Sequence, residues 1–152
     1  MFERFKRLNK FSLAGQIQSE KIVFAIQLAE EQTSAEIRVH YTTCLSNDDV
    51  FTEARKTFES LKMHTTQQRN AVLIFLRLRT KEIAILGDIG IHQHVGNEFW
   101  NAVKEEVIQI IKQDNVTEGI VKGLEIIGKQ LSIFFPVLDE NPNELPNEIT
   151  FH

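Results

Sequence analysis

Four polar residues stand where apolar runs begin or end. Glu36 opens "EIRVHY", Arg69 and Asn70 lead into "AVLIFLRL", and Asp88 closes "EIAILGD". Two carboxylates with amide, hydroxyl or carbonyl oxygens can hold a hard cation such as Ca or Mg, and a nearby guanidinium suits bidentate contact with phosphate or carboxylate. The same residues have a purely architectural use. Arg69 can pair with Glu36 or Asp88 and pin strand ends together, Asn70 can form a turn, and Asp88 can cap the segment that follows it.

Other chemistries have less support. His92 and His94 lie one residue apart without a second His or Cys pair at zinc-like spacing, so both read as surface loop residues. Glu36, Arg38 and His40 alternate along one side of a strand, as a partly wet sheet face would. Gly-rich phosphate loops, the G-x-S-x-G elbow and the H-E-x-x-H helix are missing from the sequence.

The elements that must position these residues follow from periodicity. "GQIQSEKIVFAIQLAEEQTS" carries Ile22, Ile26 and Ala29 at helical spacing, and "AEIRVHY" then alternates as a strand does. Ser46 with Asp49 resembles a capping box ahead of a helical stripe of Val50, Ala54, Phe58 and Leu61. "AVLIFLRL" is continuously apolar, a strand covered on both faces, and "RTK" turns the chain into the apolar "EIAILG". Two helices follow, one with a stripe of Phe99, Val103, Val107 and Ile110, the other capped by Asn115 and Glu118 and carrying Ile120, Leu124, Ile127 and Leu131.

Strand polarity decides what converges. A three-residue link forces an antiparallel pair, whereas strands joined through a helix run parallel with a right-handed crossover. The starts of the first two strands and the end of the third then share one rim, which brings Glu36, Arg69, Asn70 and Asp88 together. Helices for both faces of a mixed sheet give a three-layer α/β/α sandwich.

Composition narrows the partners. A chain of 152 residues is the size of one domain. The net charge is -4, and no Lys or Arg follows Lys129, while Asp139, Glu140, Glu144 and Glu148 do. With those four set aside, acids balance the 17 basic residues, so no overall field favours nucleic acid. The apolar run "AVLIFL" is far shorter than the ~20 residues of a transmembrane segment, and the N-terminus lacks a signal-peptide pattern. The single Cys44, expected to be partly buried after the first strand, suits a reducing, cytoplasmic setting.

The expected organisation is a basic N-terminal segment over 1–14, one α/β domain over 15–135, and an acidic tail over 136–152. Pro136, Pro142 and Pro146 all fall in that tail, "FFPVLDENPNELPNEITF", which should be extended. Phe134, Phe135 and Phe151 are placed to fasten it along the body.

"AEEQTSAEIRVH", "TTQQRNAVLIFL", "IAILGDIGIHQHVGNEFW" and the tail together resemble the TPM-domain family, named for thylakoid-lumen, photosystem-repair and receptor-modulator members. The similarity runs from about residue 20 onward. It implies a Rossmann-like α/β/α domain, a phosphatase label, a cation-binding site found in some members, and assembly or repair of membrane-protein complexes in others. The matching positions are Glu36 and Arg38, Arg69 and Asn70, and Gly87, Asp88 and Gly90, with Trp100 the aromatic of the following helix. Ala35 and Ala71 replace glycines common in relatives, which limits close backbone approach to a ligand. The expected function is a cation-dependent binding module serving a protein partner or membrane-protein complex, with a weak divalent-cation-dependent phosphatase as the alternative: Glu36 and Asp88 for metal, Arg69 and Asn70 for ligand or phosphate.

Overall fold

The computed structural model describes residues 15, 17–138 and 145–152, so the expectation for the basic segment 1–14 lies outside the described residues. The elements run α1 (Ser19–Glu30), β1 (Glu36–Thr42), α2 (Val50–Ser60), a 3-10 turn (Met63–Thr65), β2 (Ala71–Arg77), β3 (Glu82–Gly87), a short α3 (Ile89–His92), α4 (Asn97–Ile111), α5 (Val116–Phe134) and β4 (Thr150–Phe151).

Among the described residues the strands form one sheet in the order β3-β2-β1-β4. β1 and β2 are parallel, with Glu36 opposite Ala71, and β2 and β3 are antiparallel, with Val72 opposite Gly87. The mixed sheet expected from link lengths is therefore present. β4 comes from the tail and lies parallel to β1 at His40 and Tyr41.

Side-chain alternation sorts the core into two layers. Ile37, Val39, Val72, Ile74 and Ile85 face α1, α4 and α5, whose buried stripes include Ile22, Ile26, Val103, Val107, Leu124 and Ile127. Leu73, Phe75 and Ala84 face the other way, onto Ala54 of α2, Met63 and Leu145 of the tail. Each large aliphatic side chain fully buried in these layers contributes roughly 2 kcal/mol. The α/β/α sandwich is thus thick on one face and thin on the other.

Several local expectations change. Glu36, Arg38 and His40 are 3%, 8% and 6% exposed, so their face is dry: the returning tail lies over it, with Thr150 and His152 against the His40 ring. The buried stripe of α4 is Trp100, Val103, Val107 and Ile111, leaving Phe99 and Ile110 partly exposed. Asp49, not Ser46, caps α2, because its carboxylate accepts the amide of Thr52 at 2.9 Å. Asn115 stands before α5 without a side-chain cap hydrogen bond. Cys44 is exposed.

Candidate functional site

The rim is built by backbone bonds between distant segments. Ser34 N donates to Phe135 O at 2.9 Å, and Thr33 Oγ1 donates to the same carbonyl at 2.6 Å, which ties the turn before β1 to the end of α5. Glu36 N donates to Asn70 O at 3.3 Å, and Asp88 N donates to Ala71 O at 2.9 Å. Glu36, Asn70 and Asp88 consequently lie at one end of the sheet, on three adjacent strands.

Arg69 and Asp88 form a fork-to-fork pair. Nε donates to Oδ2 at 2.6 Å and Nη2 to Oδ1 at 2.9 Å, while the amide of Ile89 also donates to Oδ1 at 2.8 Å. The Asp88 side chain is only 5% exposed, whereas that of Arg69 is 41% exposed. Arg69 adopts a left-handed backbone, with φ 50°, and its carbonyl accepts the amide of Gly90 at 2.9 Å. A Cβ on Gly90 would stand 2.2 Å from Gln68 O, so only glycine permits this approach.

Glu36 meets a different acid from the one sequence spacing suggests. Glu30, the last residue of α1, accepts the Ile37 amide at 3.1 Å through Oε1 and shares a hydrogen bond with the Glu36 carboxyl. Two carboxyls in contact at a buried position cannot both ionise cheaply. Burial, followed by the Glu36 charge, pushes the Glu30 carboxyl up to about 8, so at neutral pH Glu30 carries the proton of its hydrogen bond with Glu36. The sequence pattern does not single out Glu30, because it flanks Ala29 on an ordinary amphipathic stripe; the one signal is its place at the end of the helix, six residues before Glu36.

Asn70 is 1% exposed beside this corner. Its backbone amide donates to Thr66 Oγ1 at 3.1 Å and its Nδ2 to Ser34 O at 3.4 Å, while Oδ1 has no hydrogen-bond partner among the described residues. A buried amide oxygen left without a donor costs about 1–3 kcal/mol unless something else satisfies it. An oxygen-seeking cation would do so.

A second polar cluster lies under the tail. His40 stacks on Phe75 and contacts Thr150 Oγ1 through Nδ1 and His152 Nδ1 through Nε2, both at 2.6 Å. His152 reaches Glu53 at 3.4 Å, and Glu53 binds Arg77 at 2.6 Å. Arg77 further donates to the Asp48 carbonyl. His92 sits on α3, and His94 stacks on Phe134 at 4.9 Å, so neither joins the rim acids. Among the described residues no three His, Cys, Asp or Glu side chains are gathered in a metal-binding group, and no helix is long and apolar enough to cross a membrane.

A mixed sheet between unequal helical layers, with polar groups collected at one strand-end rim, defines a Rossmann-like α/β/α domain. The TPM domain matches residues 13–130, and the chain belongs to the TPM-domain family. The NMR structure of the BA42 protein from the psychrophilic bacterium Bizionia argentinensis is similar at 39% identity, over 88% of this chain and 92% of that one, with a TM-score of 0.82. Two NMR structures of N-terminal domains share the fold at lower identity. One, from P. gingivalis, is 13% identical over 76% of each chain with a TM-score of 0.60. The other, of the cg2496 protein from Corynebacterium glutamicum, is 15% identical over 91% of this chain and 82% of that one, with a TM-score of 0.59. The comparison with curated proteins yields no match.

Proposed function

We propose that this TPM-type domain is a cation-dependent binding module that aids assembly or maintenance of a protein complex in the cytoplasm. The observation that carries it is the corner at the start of β1: two touching carboxyls, Glu30 and Glu36, share a proton beside the orphaned amide oxygen of Asn70. A divalent ion replaces that shared proton, and the donor set is all oxygen, which selects Ca or Mg over softer metals. Asp88 can join the ion only by releasing Arg69, and the same release frees the guanidinium for an anionic group on a partner.

Phosphoester hydrolysis is the second reading. Its support is the partly exposed guanidinium of Arg69 at the rim. It requires both Arg69 and Asp88 to leave each other before one takes phosphate and the other metal.

Calcium titration followed by amide NMR tests the main reading. Shifts localised to Glu30, Glu36 and Asn70, with release of a proton near pH 7.5 that disappears in Glu30→Gln, are the expected result. Unchanged spectra at millimolar Ca and Mg overturn it.

A further inference from the structure

Two imidazoles face each other beneath the tail. His40 Nε2 lies 2.6 Å from His152 Nδ1, so one hydrogen sits between ring nitrogens that come from residues 112 positions apart in the chain. Each ring is also held from behind. Thr150 Oγ1 contacts His40 Nδ1 at 2.6 Å, and Glu53 reaches His152 Nε2 at 3.4 Å. Arg77 Nε donates to Glu53 Oε2 at 2.7 Å, so the carboxylate is already fixed where the histidine meets it.

This is the arrangement that a metal-binding imidazole pair requires. A ligating histidine offers one nitrogen to the ion and commits the other to a carboxylate or another polar group, which sets the tautomer and aims the ring. Glu53 serves His152 in this way, and Thr150 serves His40. Burial, then His152, then Arg38 hold the His40 imidazole well below its ordinary pKa, so the ring is neutral at pH 7 and has a lone pair to give. The side chain of His152 is 48% exposed, which gives an ion an approach from solvent and room for water ligands. One adjustment is needed. Tetrahedral zinc with Zn–N bonds of about 2.05 Å sets its nitrogens roughly 3.3 Å apart, so the two rings must part by roughly 0.7 Å. The half-exposed His152 ring can make that shift while His40 stays stacked on Phe75.

We propose that His40 Nε2 and His152 Nδ1 form a binding site for a borderline divalent ion of the zinc class, which keeps water in its other positions and clamps the tail to β1. Imidazole nitrogens suit such an ion, whereas calcium and magnesium prefer oxygen. In the neutral pair the hydrogen between the rings passes to His40 Nδ1, where the Thr150 hydroxyl turns to accept it. His152 keeps its Nε2–H on Glu53, and no proton is released. The site is independent of the Glu30–Glu36 corner, since it lies four residues further along β1 than Glu36 and selects a different ion.

Zinc titration of the full chain at pH 7.5, followed through the imidazole nitrogen and backbone amide resonances, tests the site. Expected are shifts of His40 Nε2 and His152 Nδ1 that saturate with a single ion per chain, and slower amide exchange at Thr43 and His152. Binding to His152→Gln, a change at a half-exposed side chain that leaves the fold intact, should weaken at least tenfold, and binding to Glu53→Gln about tenfold. Calcium over the same range should leave both rings unmoved, and Cys44→Ser, which removes the exposed thiol, should bind zinc as the parent does. Unmoved rings at millimolar zinc overturn the inference, as do undiminished binding to His152→Gln, loss of binding in Cys44→Ser, or shifts confined to His64, His92 and His94. None of these outcomes bears on the calcium titration, which judges the Glu30–Glu36 corner separately.

Discussion

The guanidinium of Arg69 grips the carboxylate of Asp88 through two parallel hydrogen bonds, and the two side chains differ sharply in exposure, 41% against 5%. That asymmetry makes removal of either partner unequal. Asp88→Asn leaves Arg69 facing water and keeps an oxygen for the Ile89 amide, so it costs about 1–2 kcal/mol. Arg69→Ala strands a buried carboxylate and lowers the thermal midpoint further than Asp88→Asn does. Midpoints in the reverse order would show that the stranded Asp88 carboxylate is not the costlier loss.

Glu30 gives a pH signature of opposite sign to an ordinary carboxylate. Its folded pKa is raised to about 8, first by burial and then by Glu36, so its neutral form stabilises the fold. That contribution is full below the unfolded value near 4.5 and is lost as pH rises through 8. Glu30→Gln removes the loss. It should match the parent at pH 5 and exceed it by roughly 2–3 kcal/mol at pH 9, after allowance for solvent screening, in urea melts at the two pH values.

Gly90 is a lock on the rim. Adding one methyl places it against two backbone oxygens, Gln68 O at 2.2 Å and Arg69 O at 2.7 Å, neither of which can swing aside as a side chain would. Gly90→Ala should cost about 2–4 kcal/mol and displace the Arg69 amide resonance, with overpacking and the loss of the Gly90-to-Arg69 hydrogen bond acting together. Gly96→Ala is the control, since a Cβ there meets nothing within 4 Å.

The Glu53–Arg77 pair under α2 is buried on both sides, at 11% and 9% exposure. Glu53→Ala leaves the guanidinium with Glu82 at 3.5 Å and the Asp48 carbonyl. About 3 kcal/mol is the expected loss. Replacing Glu53 and Arg77 together by Leu and Met should restore most of it, which chemical melts of the single and double variants will decide.

Strand polarity was legible because link length leaves few choices. The antiparallel β2–β3 pair and the parallel β1–β2 pair follow from three residues in one case and a helix in the other, and they bring Glu36, Asn70 and Asp88 to one end of the sheet. Pairwise contacts at that end were not legible. Whether Arg69 takes Asp88 or Glu36 depends on the left-handed turn at Arg69, and Glu30 enters through the exit angle of α1, neither of which periodicity encodes. The dry face of β1 escapes the sequence for a related reason: alternation shows that Glu36, Arg38 and His40 share a side, but a tail more than a hundred residues away covers it. β4 was hidden among prolines, which mark an extended segment without saying where it pairs.

That covering tail carries the last prediction. A consistent set of hydrogen bonds runs from the Thr150 hydroxyl to His40 Nδ1, from His40 Nε2–H to His152 Nδ1, and from His152 Nε2–H to Glu53, with the His40 ring neutral. A proton added to His40 must sit beside His152, the residue after β4, and Arg38 on β1, with Glu53 and Arg77 already committed to each other. Burial, then His152, then Arg38 hold the His40 imidazole down to about 4. A base depressed in this way stabilises the fold above its unfolded value of 6.5 and loses that contribution as pH falls toward 4, roughly 2–3 kcal/mol after allowance for solvent screening. The loss should fall first on β4, whose attachment is two short backbone bonds, His152 N to Tyr41 O at 3.2 Å and Thr43 N to His152 O at 3.0 Å. Amide protection factors at Thr43 and His152, corrected for the intrinsic rate at each pH, should therefore fall between pH 6.5 and 4.5, ahead of those of Leu73 and Ile74 in the centre of the sheet. In His40→Gln, which keeps hydrogen-bonding capacity without the titration, the two sets should move together, and equal protection of Thr43 at both pH values in the parent would show that the histidine pair does not hold the tail.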